Sequence, residues 1–324
     1  MADLAMMRLN LPALRDAEDY TRHFRSPVWQ RAASVICDRH NLTHTLLRRA
    51  EQGENIIFFV DERFVIKIFA PFREGFRREK ASLEAASGKL HVETPLILYA
   101  GELEGWSYLV MTQLAGISGR EAWPGIDLRG RMEVATHLGL ALKSLHNQAA
   151  AHSQASTNPD WQGFIERQAK MCVERQRACG ANPEWLESLP DYLAAHLQLL
   201  PAEYETVLLH GDAHLGNLLL AQEHGRWKIT GLFDFGDSLC GFHEYDFVAP
   251  GVLMLQGSRE LQRAMLLAYG YEESQLDPGL RRRLMLLTML YECSDLRKYA
   301  LRLMPEAVNF TLEELEAAIW RLAE

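Results

Sequence analysis

The run His210-Gly211-Asp212-Ala213-His214-Leu215-Gly216-Asn217 is followed, seventeen positions after its Asn, by Asp234-Phe235-Gly236-Asp237. Together they hold the groups that phosphoryl transfer needs. Asp212 can orient an acceptor hydroxyl and take its proton. The amide oxygen of Asn217 and the carboxylate of Asp234 are hard oxygen donors, suited to Mg²⁺ on nucleotide phosphates; His or Cys would suit a softer metal. Phosphoryl transfer leaves a protein little covalent work, so positioning and charge neutralisation are the catalysis. The plain alternative is a polar loop after the buried strand Val207-Leu208-Leu209. Against it stands the density of groups that are costly to bury unpaired.

These residues need elements to bring them together. Leu218-Leu219-Leu220 and Trp227 to Phe233 flank a Gln222-Glu223-His224-Gly225 turn, a hairpin that returns Asp234 to Asn217. Upstream, Thr45 to Arg49, Ile56 to Val60 and Phe64 to Phe69 read as strands, with a turn at Gln52-Gly53-Glu54-Asn55 and another at Asp61-Glu62. Lys67 is a lone cation in an apolar run and needs a partner. In a kinase-like lobe it reaches the α and β phosphates and pairs with a Glu on the next helix. That helix is expected from Arg73 to Ala86, with Glu79 as the partner and Glu84 as the alternative. The other reading of Lys67 is an edge strand facing water. Trp106 to Gly116 runs from an apolar strand into a short polar segment, which suits a hinge between lobes; an ordinary strand end is the alternative.

With both halves in view, the chain resembles the aminoglycoside phosphotransferase family, which shares its fold with the eukaryotic-type protein kinases. The family's His-Gly-Asp-x-His-x-x-Asn matches in full at 210–217, and its later metal-binding Asp matches Asp234. The resemblance implies an α+β, bilobal, protein-kinase-like fold. Residues 1–114 would form a small β-rich lobe with a helical extension, a nucleotide-binding sheet and one helix. Residues 115–324 would form a larger, mainly helical lobe with the catalytic loop and acceptor site. The resemblance further implies Asp212 as the base and Asn217 and Asp234 as Mg²⁺ ligands. It places Lys67, Glu79, Gly53 and Asn55 around the phosphates and Met111 behind the adenine. The backbone of Thr112 and Leu114 would meet the adenine edge. His210 and His214 look like supports, with His214 as base the minority reading, and Asp246 would order the loop. ATP and Mg²⁺ are the expected cofactors, with GTP open.

Three strings, Val65 to Phe69, Tyr108 to Met111 and Thr230 to Phe235, are similar to the hygromycin-type enzymes in particular. The leading acceptor is therefore an aminocyclitol antibiotic of that type, which would make this a resistance enzyme. The main alternative is a metabolic kinase of the same fold acting on a sugar, an amino alcohol or a fructosamine-like amine, because a shared core does not fix the acceptor. A protein kinase is disfavoured by the missing Ala-Pro-Glu-like segment and long activation loop. A nucleotide-binding regulator without turnover is disfavoured by the complete set Lys67, Asp212, Asn217 and Asp234.

Composition bounds the rest. The 324 residues are 48% hydrophobic and 24% charged, ordinary for a globular chain with room for two cores. The net charge of −9 disfavours nucleic acid or an anionic membrane as partner and suits a cationic acceptor, although an acidic balance also serves solubility. Five scattered cysteines make no Cys-x-x-Cys pair, so neither zinc nor a disulfide framework is indicated. No signal peptide is evident and no apolar run reaches the ~18–20 residues of a membrane helix. A cytoplasmic monomer is expected. Helices are expected before residue 40, with Trp29, Ala32, Ala33 and Ile36 inward, and then over 128–148, 159–179, 184–199, 261–269, 278–298 and 311–322. Asp237 and Glu244 are candidates for the acceptor pocket, with solvated surface as the alternative. Glu292 and Asp295, one turn apart on the expected 278–298 helix, are further candidates; a plain polar helix face beside Arg297 and Lys298 is the alternative.

Overall fold

The computed structural model describes residues 8–14, 16–51, 53–72, 74–148 and 160–322. Gln52, Arg73 and Pro159, which the sequence reading places in the turn and at two helix starts, lie outside the described residues, as do residues 1–7 of the N-terminal extension.

Five strands make the N-terminal sheet: β1 (Leu47–Arg49), β2 (Ile56–Val60), β3 (Phe64–Ile68), β4 (Ile97–Leu103) and β5 (Trp106–Thr112), ordered β1-β2-β3-β5-β4 and antiparallel throughout. β-Branched and aromatic residues favour this pleated, half-buried surface. Ile56, Phe58 and Val60 bury one face, against helices α1 (Ala17–His23) and α2 (Val28–Arg39). Trp29, Ala32, Ala33 and Ile36 of α2 are fully buried there, and the Trp29 ring meets Trp106 of β5 edge-on at 4.5 Å. The opposite face carries Lys67 and looks onto α3 (Gly75–Ala86).

The C-terminal region is larger and mostly helical. It comprises α4 (Gly119–Ala122), α5 (Leu128–His146), α6 (Trp161–Ala178), α7 (Pro183–His196), α8 (Val248–Pro250), α9 (Arg259–Tyr269), α10 (Pro278–Leu290), α11 (Leu296–Leu303) and α12 (Leu312–Ile319). Two small sheets sit among them. β6 (Ile117–Ser118), β8 (Leu218–Glu223) and β9 (Arg226–Leu232) form one; β7 (Thr206–Leu209) and β10 (Leu239–Phe242) form the other. The larger hydrophobic core runs from Phe69, Leu83 and Met111 into these helices, so the two regions share buried contacts. Among the described residues, no helix is long and apolar enough to cross a membrane.

One expected element is corrected. The helix read over 278–298 stops at Leu290 and restarts at Leu296. Tyr291 takes an extended conformation (φ −60°, ψ 135°), and the Asp295 side chain accepts the Lys298 amide at 2.8 Å as an N-cap. A short acceptor side chain that satisfies the first free amides of a helix marks a new start there, so α11 begins afresh after Asp295. The capping box at Thr311 and Glu314 forms as the spacing predicts.

Candidate active site

The polar run 210–217 leaves β7 as a loop held from behind by Asp246. Asp246 Oδ2 accepts the His210 amide and Oδ1 the Gly211 amide, each at 2.7 Å. His146 of α5 approaches the same Oδ2 with Nε2 at 2.9 Å, and its Nδ1 lies 2.9 Å from the Tyr269 hydroxyl. Gly211 has φ +82°, and a Cβ there would lie 2.3 Å from the Asp237 carbonyl oxygen, so the turn admits only glycine. His210 Nδ1 accepts the Asp212 amide at 3.2 Å, which leaves Nε2–H to donate to the Phe233 carbonyl at 3.1 Å. Burial lowers its proton affinity, in keeping with a neutral ring. His214 accepts the Gly216 amide with Nδ1 at 3.0 Å and turns Nε2 toward Asp212 Oδ2 at 3.6 Å.

The Asp212 carboxylate is gripped at both oxygens. Asn217 Nδ2 donates to Oδ2 at 3.0 Å and to the Asp212 carbonyl at 2.8 Å. The Tyr291 hydroxyl donates to Oδ1 at 2.9 Å. With its nitrogen engaged, Asn217 offers Oδ1 to the cleft.

The β8–β9 hairpin returns Asp234 to this loop, and Asp234 adopts a left-handed conformation (φ 66°, ψ 68°) that Asp tolerates better than most residues. Lys67 Nζ lies 2.7 Å from Asp234 Oδ1 and 2.5 Å from Glu79 Oε2. Glu79 is therefore the partner; Glu84 instead pairs with Lys80 at 2.6 Å on the exposed side of α3. Burial would lower the proton affinity of Lys67, but Asp234 and Glu79 more than offset it, and the ammonium is held protonated. Lys67 in turn holds the Asp234 carboxyl below its usual range, while burial pushes Glu79 up to about 7 against the pull of Lys67. Ser82 and Ser238 hydroxyls, 2.6 Å apart and buried, tie α3 to the segment after Asp234.

Two adjoining cavities meet at Ile57, Phe233 and Asp234. One, of about 340 Å³, is apolar, between Phe59, Val65, Met111, Leu114 and Leu219. The Thr112 amide donates to the Leu96 carbonyl and the Thr112 hydroxyl oxygen accepts the Leu96 amide, so its carbonyl is the backbone group it can present. Among the described residues, no partner claims the Leu114 amide. Gly116 is required here: a Cβ would lie 2.6 Å from Thr230 Oγ1. The second cavity, of about 670 Å³, is polar. Gly53, Asn55, Asp212, Asn217 and Asp237 line it, with Arg78 and Arg120, which the sequence reading did not single out. Arg120 lies in α4, and a Cβ on Gly216 would lie 2.6 Å from its guanidinium, so that glycine makes room for it.

The acceptor-side candidates divide. Asp237 lies in the polar cavity, and burial together with Asp212 and Asp234 pushes its carboxyl up to about 6. Glu244 does not reach the cleft: it is buried in a two-point ion pair with Arg283 (2.7 and 3.0 Å) and accepts the Tyr271 hydroxyl at 2.9 Å. A carboxylate leaving the surface needs such a partner, and a charge pattern alone cannot locate one. Asp295 is engaged as the cap of α11. Glu292 sits exposed in the preceding turn, on no shared helix face with Asp295, and its charge is felt by Asp237 and Cys293. Tyr291 is the functional neighbour the sequence reading passed over; nothing local marks a Tyr whose partner is 79 positions away.

Among solved structures, the chain is similar to aminoglycoside 2'-phosphotransferase-IIIa in its GDP complex, at 18% identity and a TM-score of 0.69 over 90% of this chain and 98% of that one. It is similar to APH(2")-IIa in a ternary complex with streptomycin and ATP, at 18% identity and 0.56 over 94% and 99%. It is similar also to aminoglycoside phosphotransferase APH(4)-Ia, at 16% and 0.61 over 91% and 100%. At these identities the likeness establishes the kinase-like fold. The family model described as the phosphotransferase enzyme family, APH, matches residues 45–286, from the start of the N-terminal sheet through most of α10. The chain belongs to that family and is a phosphotransferase.

Proposed function

We propose that this enzyme transfers the γ-phosphate of ATP to a hydroxyl of an aminoglycoside, with an aminocyclitol of hygromycin type as the leading acceptor. The observation that carries the reading is the convergence of Lys67, Asp212, Asn217 and Asp234, from three separate stretches of chain, on one cleft. In this reading the lobes divide near residue 114. The base lies in the apolar cavity, with the Thr112 carbonyl and Leu114 amide at its edge and Met111 behind it. Lys67, held by Glu79, meets the α and β phosphates, and Gly53 and Asn55 cover them.

Asn217 and Asp234 suit Mg²⁺, which binds through one or two protein oxygens and completes its shell with phosphates and water. When bound, that ion supplies charge neutralisation at the phosphates. Asp212 accepts the hydroxyl proton as the acceptor oxygen bonds to the γ-phosphorus; the bond from that phosphorus to the bridging oxygen breaks, and ADP leaves with the electron pair. Arg78 and Arg120 add positive charge to the cavity wall.

A cationic acceptor is supported by Glu54, Asp212 and Asp237, which line the polar cavity, and by Glu292, whose charge is felt at Asp237. Structures similar to this one have been solved with kanamycin and with gentamicin. The hygromycin preference rests on the three sequence strings. A coupled ADP-release assay with MgATP against hygromycin B, other aminoglycosides, small sugars and amino alcohols tests it. Turnover with hygromycin B and not with the sugars or amino alcohols is expected. Turnover confined to a sugar or amino alcohol would overturn the acceptor and keep the kinase.

A further inference from the structure

We infer that Tyr291 is a positioning residue for the catalytic base, fixing the plane of the Asp212 carboxylate through its hydroxyl. The inference rests on the reading of Asp212 as that base.

A carboxylate on a loop turns easily about its terminal bond unless both oxygens are engaged. Asn217 engages Oδ2, and its oxygen is reserved for the metal in the same reading. Oδ1 has a single protein partner among the described contacts, the Tyr291 hydroxyl at 2.9 Å. That hydroxyl is a lasting donor, because burial first and then the nearby Asp212 push its proton affinity well above the ordinary phenol. With one lone pair of Oδ1 taken, another is left, in a set direction, for the acceptor hydroxyl.

The rest of the structure holds Tyr291 still. Arg175 of α6 donates to the Tyr291 carbonyl at 2.8 Å. The next residue on α6, Gln176, accepts the Leu296 amide at 2.9 Å and donates to the Ser294 hydroxyl at 3.0 Å. The Tyr245 hydroxyl accepts the Glu292 amide at 3.1 Å, and the Tyr245 and Tyr291 rings lie 5.7 Å apart. Helix α6 thus clamps both ends of the turn between α10 and α11, and the turn presents one hydroxyl to the base. Tyr291 lies outside the residues matched by the family model. The clamp explains why the helix breaks at Leu290: an unbroken helix would carry residue 291 past the loop.

The test compares Tyr291→Phe and Tyr291→Met with the unaltered enzyme, using the panel aminoglycoside turned over fastest. Both variants lack the donor, but only Phe refills the ring's volume. Both should lower kcat about tenfold, with KM for MgATP kept within about twofold. In an Asp212→Asn background, single-turnover transfer with excess enzyme should show no further loss from Tyr291→Phe, because the group it acts through is gone. Wild-type kcat in a folded Tyr291→Phe would overturn the inference. So would a loss in Tyr291→Met alone, or an equal tenfold loss in the Asp212→Asn background, since either would mean packing. If Asp212→Asn itself turned over normally, the assignment of the base would fail instead.

Discussion

Asp212 and Asp234 occupy one cleft and are proposed for different tasks, so their removal should look different. Asp212→Ala is expected to lower kcat by about 10²–10⁴-fold while calorimetric titration shows nucleotide affinity unchanged, as for a group that acts on the acceptor proton. Asp234→Ala should weaken MgATP binding itself, and the same titration reads it; equal nucleotide affinity in the two variants would remove Asp234 from the metal. Asp237 gives the site a pH dependence. Its folded-state carboxyl is raised from 3.8 to about 6, so its protonation favours the fold fully below the unfolded value, and that contribution is lost as pH rises through about 6. Above that pH the Asp237 charge is repelled by its neighbours Asp212 and Asp234, which a divalent ion relieves. Thermal shift by MgADP should therefore be larger near pH 8, well above that midpoint, than near pH 5, below it, and Asp237→Asn should shrink the difference.

At the scale of elements, the loop 210–217 depends on a neighbour that comes after it in the chain. Asp246→Ala strips partners from the His210 and Gly211 amides and from His146 in a buried place. About 3 kcal/mol or more of stability should go with it, read as a lowered urea midpoint; a loss under about 1 kcal/mol would mean the loop holds itself. The elements differ in how plainly the sequence announces them. β2 is an unbroken apolar run, β3 is apolar but for Lys67 and β5 is mostly apolar, and the hairpin that returns Asp234 carries its own turn, so the kinase core could be read directly. β4 escaped notice because it is an edge strand with most of its residues outside the core, and so lacks the alternation that marks a half-buried strand. The break at Tyr291 was hidden for the opposite reason. Leu280, Leu284, Leu287, Leu296, Tyr299 and Ala300 all face the core, so apolar periodicity continues across a turn created by contacts with α6. For the same reason Glu244 and Asp295 read as free carboxylates: an ion pair to Arg283 and a cap on α11 are properties of the folded neighbourhood.

At the scale of the whole molecule, the chain keeps two cores on either side of the N-terminal sheet. The outer one joins α1 and α2 to β2, β3 and β5 through Trp29 and Trp106. Trp29→Ala should cost about 3–5 kcal/mol, and guanidinium unfolding followed by fluorescence would measure it. A cost under about 1 kcal/mol would make the extension an ornament. The Tyr20 hydroxyl of α1 also donates to the Glu54 carbonyl at 2.9 Å, in the loop that lines the polar cavity. At the other end, Trp320 packs so closely on Gly251 that a Cβ there would lie 2.1 Å from its ring, and its indole donates to Thr288 at 3.1 Å. None of Tyr20, Trp29 or Trp320 belongs to the stretch 45–286 that carries the family likeness. A fragment cut to that stretch would keep nearly every group lining the cleft and yet bare the tryptophan-sized hollows on both flanks. The borders of the family match and of the packed cores thus differ in this protein: the matched part holds the chemistry, and the flanks on either side of it close the cores around that part.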